Sequence, residues 1–439
     1  MGVLVDFLNY VIDYALIPGG WTLFFAALVW MLYFLRKQKN NKAYVDSIKW
    51  VFLEVKIDEI NEKSPLAMEQ VFVALHAIHT NFTWGEIFAG RSVLWLSCEI
   101  VSLGGKVSYI FKIPERYRNL LESAIFAQYP KAEISEVEDY LKNLPHHYEP
   151  EHADFDFWGT QFNKKKDSAY PIRTFSQVDS FEHSAQETFI EPLSNLIEVM
   201  SNMQPHELMV WQVVIKPVND DWKEHTSHLI DKLKGVPMHL EEGWFERIVF
   251  AIPRFMGDML VAFITPPEEH KTTVREKEEP PTLMLHRTDV EKLVINSIQR
   301  ALGKIGYEVR IRALYLAPKD KINKSLRIPE FIGAVRNFDD VNLNGLKPDI
   351  GHTWTEGPTY RISEKLERPY MENAKLTRKR HMLHNFTARS HWRGSGKVVM
   401  NVEELATIFH FPQTQHSRIS QLEKVHTVKS APPMDLPIG

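Results

Sequence analysis

The sequence predicts an α+β protein in which an N-terminal transmembrane helix is followed by tandem ferredoxin-like (split βαβ) αβ sandwich domains. Three observations point there. An apolar stretch without a charged residue, Ile17 to Leu35, stands near the start. Runs with a period of two and runs with a helical period then alternate in the order βαββαβ from about Trp50 to Tyr140. A second series of strand and helix patterns follows it to about residue 345.

The apolar stretch, IPGGWTLFFAALVWMLYFL, reaches about 28 Å at about 1.5 Å per residue, close to a hydrocarbon core of about 30 Å. Trp21 and Tyr33 lie near its ends, where amphipathic rings favour the headgroup region. Arg36, Lys37, Lys39 and Lys42 follow directly and no lysine or arginine precedes. The positive-inside rule therefore predicts a single-pass protein of the plasma or inner membrane, N-terminus outside and bulk cytoplasmic. A cleaved signal peptide is the weaker reading, since no basic n-region precedes the run and no small-residue cleavage site follows it. Over residues 1–16, Asp6, Asn9 and Asp13 fall on one helical side and Leu4, Leu8, Val11 and Ile12 on the other, which predicts a short interfacial helix.

Downstream, WVFLEVKI reads as a strand and SPLAMEQVFVALHAI as a helix opened by Ser64 and Pro65. WLSCEIV and VSYIFKI read as a hairpin around Gly104-Gly105. A helix between Pro114 and Pro130 and the strand AEISEVEDY complete a ferredoxin-like domain over 36–145. A polar linker at 146–170 leads to a second αβ domain, 171–345, built on LMVWQVVIKPV, YEVRIRALYLAP and helices near 192–203, 222–233 and 289–302. The helix RIPEFIGAVRNF ends it. It carries an apolar insertion, 236–282, in which Arg254 and Asp258 interrupt IVFAIPRFMGDMLVAFIT. Two central charges disfavour a bilayer span, leaving a helix docked on the inner leaflet or a partner, or an ordinary buried helix. A basic segment and C-terminal helical region, 346–429, and a proline-rich linker, 430–439, close the chain.

Composition restricts the function. The 439 residues are 44% hydrophobic and 25% charged, as in globular proteins, and the net charge of -4 argues against a general nucleic-acid coat. Cys98 is the single cysteine, which excludes an internal disulfide or a cysteine-built metal cluster.

No catalytic constellation emerges. GSGK, Gly394 to Lys397, lacks the first glycine of a phosphate loop and is followed by Val398 rather than Ser or Thr. Lys106 and Lys304 are likewise followed by aliphatic residues, and no GxSxG is present. His146, His147 and His152, or His381 and His384, invite a metal reading, but without an HExxH they read better as solvated side chains. Catalytic residues, metals and cofactors are therefore not expected. The segment KLTRKRHMLHNFTARSHWRGSGK instead gathers Lys375, Arg378, Lys379, Arg380, Arg389, Arg393 and Lys397 without an acid, with Trp392 available to stack. It reads as a nucleic-acid contact, or as a face toward an acidic partner or lipid headgroups.

The last hundred residues carry a resemblance. ALYLAPKDKINKSLRIPEFIGAVRNFDDVNLNGLKP, RKRHMLHNFTARSHW, VVMNVEELATIFHFP and SAPPMDLP resemble the region just before the motor in membrane-associated ATPases of type IV secretion and conjugative DNA transfer, of the HerA/FtsK superfamily. SPLAMEQVFVALHAI through YPKAEISEVEDY is similar to the membrane-anchored N-terminal domain that accompanies such motors, chiefly in bacteria. The motor itself has no counterpart here. The resemblance implies an accessory or scaffold subunit, not an enzyme, that tethers a separate motor ATPase. Independently of the resemblance, the helix EELATIFHF presents Leu405, Ile408 and Phe409 on one apolar face, most often core but available to pack on a neighbouring domain; with Pro432, Pro433 and Leu436 of the proline-rich stretch they are the candidates for docking. The alternative is a membrane-tethered DNA-binding module that guides nucleic acid to the translocase. Expected partners are the lipid bilayer, the ATPase, DNA and a second copy of the chain.

Overall fold

The computed structural model describes residues 17–58, 61–145, 148–176, 191–234, 288–357 and 364–413. The predicted interfacial helix at 1–16, the apolar run Ile248 to Thr265, His146, His147, Pro432, Pro433 and Leu436 lie outside them. The chain divides into two compact units, 1–219 with 304–439 and 220–303.

The first unit begins with α1, Ile17–Asp46. Its elements then run β1 (Trp50–Lys56), α2 (Pro65–Leu75), α3 (Trp84–Phe88), β2 (Leu96–Leu103), β3 (Lys106–Pro114), α4 (Arg118–Gln128) and β4 (Glu133–Glu136). Next come β5 (Phe155–Lys164), α5 (Ser194–Ser201) and β6 (Leu208–Pro217). The second unit contributes α6 (Asp221–Lys234) and α7 (Asp289–Leu302), which pack on one another. Thr288 and Glu291 cap α7 reciprocally, the geometry that satisfies its first free amides. The first unit resumes with β7 (Gly306–Pro318), α8 (Lys324–Val335), β8 (Leu346–Pro348), α9 (Glu364–Thr387), β9 (Val398–Asn401) and α10 (Val402–Ile408).

The nine strands among the described residues form one antiparallel sheet in the order β4-β1-β3-β2-β6-β7-β5-β8, with β9 pairing β7. Within each half the order is that of a split βαβ unit, and the halves meet where β2 pairs β6 from Leu96↔Ile215 to Leu103↔Leu208. Gly104 and Gly105, with φ of 61° and 86°, make the tight β2–β3 turn, a conformation a side chain disfavours.

Strand alternation sends two sets of side chains to two faces. Val51, Leu53, Cys98, Phe111, Trp211, Val213 and Ile311 face a continuous core with Phe72 of α2, Ile125 of α4, Ile197 of α5, Phe331 of α8 and Leu405 of α10. Ile110, Phe157, Val210 and Leu314 face the other way, under Met382, Leu383 and Phe386 of α9. Because β6 is covered on both sides, it reads as an almost unbroken apolar run.

These observations correct the predicted fold class on two counts. The two sandwiches are not separate, since β2 and β6 would each be an open edge and instead satisfy one another. The predicted transmembrane helix is also not found. No helix among the described residues is long and apolar enough to cross a membrane.

Past Leu35 the helix continues through Arg36, Lys37, Lys39 and Lys42 and is fastened to its own domain. Asn41 Nδ2 donates to Gly90 O (3.0 Å) and Ser92 Oγ (2.8 Å), and Tyr44 packs against the core. A Cβ on Gly90 would lie 2.5 Å from the Asn40 carbonyl carbon, so only glycine permits this approach. The basic run read as a headgroup flank thus belongs to a docked helix, and the single-pass placement with an outside N-terminus falls with the span on which it rested.

Trp211, at the centre of the sheet, is fully buried and its indole N–H donates to Ile408 O at 3.1 Å. Trp211→Ala is expected to lower unfolding stability by about 3–5 kcal/mol, seen as a drop in the urea midpoint. A loss below about 1 kcal/mol would contradict its place at the joint of the two halves.

Candidate functional site

The basic segment crosses the second face of the sheet, and its charges are largely answered from within the chain. Lys375 Nζ lies 2.9 Å from Glu356. Arg378 donates to the carbonyls of Ile350 and Gly351, and Arg380 Nε to Tyr148 O. Lys379 is buried beside Asp156, which also takes Lys324. Burial pushes the Asp156 carboxyl up, but Lys324 and Lys379 outweigh it and hold the group well below the usual carboxylate range. Tyr148, Asp156, Lys319, Lys375 and Lys379 line a cavity of about 270 Å³ whose lysines already have oxygen partners.

Arg389 is buried, with a left-handed φ of 49°. Its Nε lies 3.1 Å from Glu99, and its two terminal nitrogens meet Asp139 at 2.6 and 2.7 Å, the bidentate arrangement that best compensates a buried guanidinium. Burial works against its charge, and Glu99, Tyr140 and Asp139 overcome that to raise its pKa. Glu99 in turn accepts from Ser97, Gln212 and Tyr140.

Strand register places Glu99 opposite Gln212, Gln212 opposite Arg312 and Arg312 opposite Gln161, so one polar row runs through the middle of this face. Arg312 and its neighbour two positions away, Arg310, have no carboxylate within ion-pair distance among the described residues. They bind backbone carbonyls of the loop after α9 instead. Arg312 reaches Ser390 O (2.5 Å) and Arg393 O (2.8 Å), and Arg310 reaches His391 O (2.6 Å) and Gly396 O (2.6 Å). Burial and the adjacent Arg310 pull the Arg312 pKa down to about 9, against Glu99. Burial, Lys216 and Arg310 push His391 down to about 3, which leaves its buried ring neutral near neutral pH. Gly394 and Gly396 take positive φ to bring these carbonyls around. GSGK is therefore a carbonyl cradle for arginines, the opposite polarity from an amide cradle for phosphate.

Trp392, Arg393 and Lys397 remain at the surface, Lys397 Nζ standing 3.4 Å from Glu308. Of the predicted contact residues, the structure thus leaves these three outward and turns Lys379 and Arg389 inward.

The predicted docking residues of α10 also lie inside. Leu405, Ile408 and Phe409 are fully buried, and Phe409 packs on Phe72, Tyr109 and Phe111. Their apolar face is covered by the chain's own α2 and sheet, which corrects their reading as a surface for another protein. The segment is keyed in by buried polar pairs as well. Asn401 caps α10 by accepting from Glu403 N and Glu404 N, Lys304 meets Glu403 at 2.7 Å, and Lys164 meets Glu404 at 2.7 Å. His410 pairs with Glu191, and Phe411 sits between Tyr109 and Tyr129 while Asn61 holds its carbonyl.

Sequence reasoning missed Glu99, Arg310, Arg312, Glu403 and Glu404. The signal for the arginines was present in YEVRIRALYLAP, where charge alternates within a run otherwise suited to a buried strand. No group of three or more His, Cys, Asp or Glu placed to hold a metal occurs among the described residues. Cys98 is buried, and burial with Glu99 pushes its thiol well above the ordinary range.

Fold and site together define an α+β protein with helices on both faces of one antiparallel sheet, in which buried ion pairs lie beneath a short exposed aromatic and basic edge. The chain belongs to the family of the domain of unknown function DUF8128, whose model matches residues 37–424. No curated protein matches it.

Arg389→Met would strand Glu99 in the interior, so a loss of about 3–5 kcal/mol is expected in denaturant unfolding. Adding Glu99→Gln should recover part of it, and strictly additive losses would contradict the pairing. A pH effect follows from Glu403. Burial raises its pKa, while Lys304 and Ser176 bring it below the ordinary value. The associated stability is complete above about pH 4.5 and is lost as pH falls through the lower folded value. Thermal unfolding of Glu403→Gln should accordingly fall less than the wild type between about pH 5 and pH 3, and parallel curves would contradict the assignment.

Proposed function

We propose that the chain is a non-catalytic mount, an assembly subunit that holds a separate motor ATPase of the type IV secretion or conjugative-transfer class. The observation that carries this reading is the seating of Val398 to Pro412. This stretch includes EELATIFHFP, which resembles the segment leading into such motors. Here β9 extends β7 in the second half of the sheet while α10 packs on α2 of the first. A load applied to the chain beyond Gln413 would be borne by both halves at once, through Trp211, Asn61 and the buried lysine–glutamate pairs. With Leu405, Ile408 and Phe409 committed to the core, attachment falls to the proline-rich stretch that contains Pro432, Pro433 and Leu436. Proline fixes φ in such a segment and reduces what it loses on binding.

Capture of the tagged full-length chain from cells of its source should bring down a motor ATPase of this superfamily. Replacing Pro432, Pro433 and Leu436 together by alanine should reduce that recovery at least several-fold while leaving thermal stability unchanged. Capture without such an ATPase, or recovery indifferent to the triple substitution, would rule the mount out.

A further inference from the structure

The end of the sheet where β1 and β2 begin and β6 ends carries three tryptophans in a row. The ring centroids of Trp50 and Trp95 are 5.4 Å apart, and those of Trp95 and Trp392 are 6.3 Å apart. Two lysines interleave with them. Lys112 Nζ lies 5.0 Å from the Trp50 centroid and Lys216 Nζ 4.9 Å from that of Trp392. Trp392 is 49% exposed, although a tryptophan on a free surface costs solubility. Its orientation is fixed from below, because Trp95 donates its indole N–H to Arg389 O at 2.8 Å and Arg310 and Arg312 hold the backbone on either side of Trp392.

Charge at this edge favours an anionic partner. Lys397, with its side chain 71% exposed, and the exposed Arg393 flank Trp392. The carboxylate of Glu308 is largely buried and is shared between Lys216 (3.7 Å) and Lys397 (3.4 Å). Beneath them stand Arg310 and Arg312, which neutral carbonyls and amides hold but do not neutralise. Along α9, by contrast, Lys375, Arg378, Lys379 and Arg380 are taken up by Asp156, Glu356 and backbone oxygens.

We propose that Trp392, braced edge-on by the buried Trp95, is a binding platform for single-stranded nucleic acid, with a base stacked on Trp392 and the adjoining phosphates facing Lys216 and Lys397. An exposed indole flanked by cations suits unpaired bases, which offer a π-face whatever the sequence. A duplex hides those faces and would meet only the lysines. The proposal does not rest on the motor attachment, which is assigned to different residues, Pro432, Pro433 and Leu436.

The test is fluorescence anisotropy of a labelled oligothymidine with the full chain at about 50 mM salt, repeated at rising salt. Binding should weaken steeply with salt, and a duplex of equal length should bind more weakly. Trp392→Ala should weaken binding roughly tenfold and Trp392→Phe much less, whereas alanine at the exposed Trp84, outside the row, should have no effect. Lys216→Gln and Lys397→Gln should each reduce the salt dependence by about one unit of slope. Absence of binding at low salt, equal binding by Trp392→Ala with a normal melting curve, or displacement of the oligonucleotide by a polyglutamate peptide of equal length would overturn the proposal. The last outcome would identify an acidic protein segment as the occupant.

Discussion

The pairing of β2 with β6 is the constraint on which the rest of the structure depends. Each strand would be the outer edge of a four-stranded sheet, with a row of unpaired amides and carbonyls that invites association. Joining them over Leu96 to Leu103 removes both edges at once and makes a single surface long enough for one core to run beneath both halves. Phe72, Trp211, Phe331 and Phe409 share that core although they come from four separate stretches of the chain. Stability is consequently not local to either half, and no part of the first unit presents itself as a detachable domain.

A joined sheet also creates a problem on its second face, where α9, the loop after it and the segment after β4 that carries Tyr140, Leu141 and Tyr148 cover the strands near the joint. That region is polar rather than apolar. Glu99, Gln212 and Arg312 lie side by side across three strands, and a buried charge is tolerable only with partners. Arg389 and Asp139 complete the acidic end, while loop carbonyls complete the basic end. The loop is consequently specified by arginines that reach up from the sheet, and this is what positions Trp392 at the edge. On the first face the same principle acts through Lys164, Lys304, Glu403 and Glu404, which fix one seating for the C-terminal strand and helix. Buried pairs of this kind add little net stability over apolar packing but penalise any other register heavily.

Much of the local structure was legible in the sequence. Ser64-Pro65 opens α2, Gly104-Gly105 turns β2 into β3, and the apolar runs at Trp50, Leu208 and Tyr307 are strands. The joint was not legible, because periodicity tells which face of a strand is apolar and is silent about which strand lies beside it. The basic segment misled for a related reason. Lys375 to Lys397 contains no acid, yet its carboxylates arrive from Asp156, Glu356, Glu99 and Asp139, far away in sequence. The same holds for Leu405, Ile408 and Phe409, whose common face is plain in the sequence while its cover, α2 and the sheet, is not. In α1 the charge-free run suggested a span, and the features that tie its later half to the domain, Asn41 and Gly90, carry no hydropathy signal.

A mount must hold its attachment segment as firmly as it holds its own centre. Amide hydrogen exchange of the full chain measures this directly, because residues that open only with global unfolding exchange slowest and together. The account predicts that amides of Met400 and of Leu405 to Phe409 exchange with the slow class set by β2, β6 and β7. Early, independent exchange of that stretch, with the sheet still protected, would contradict it.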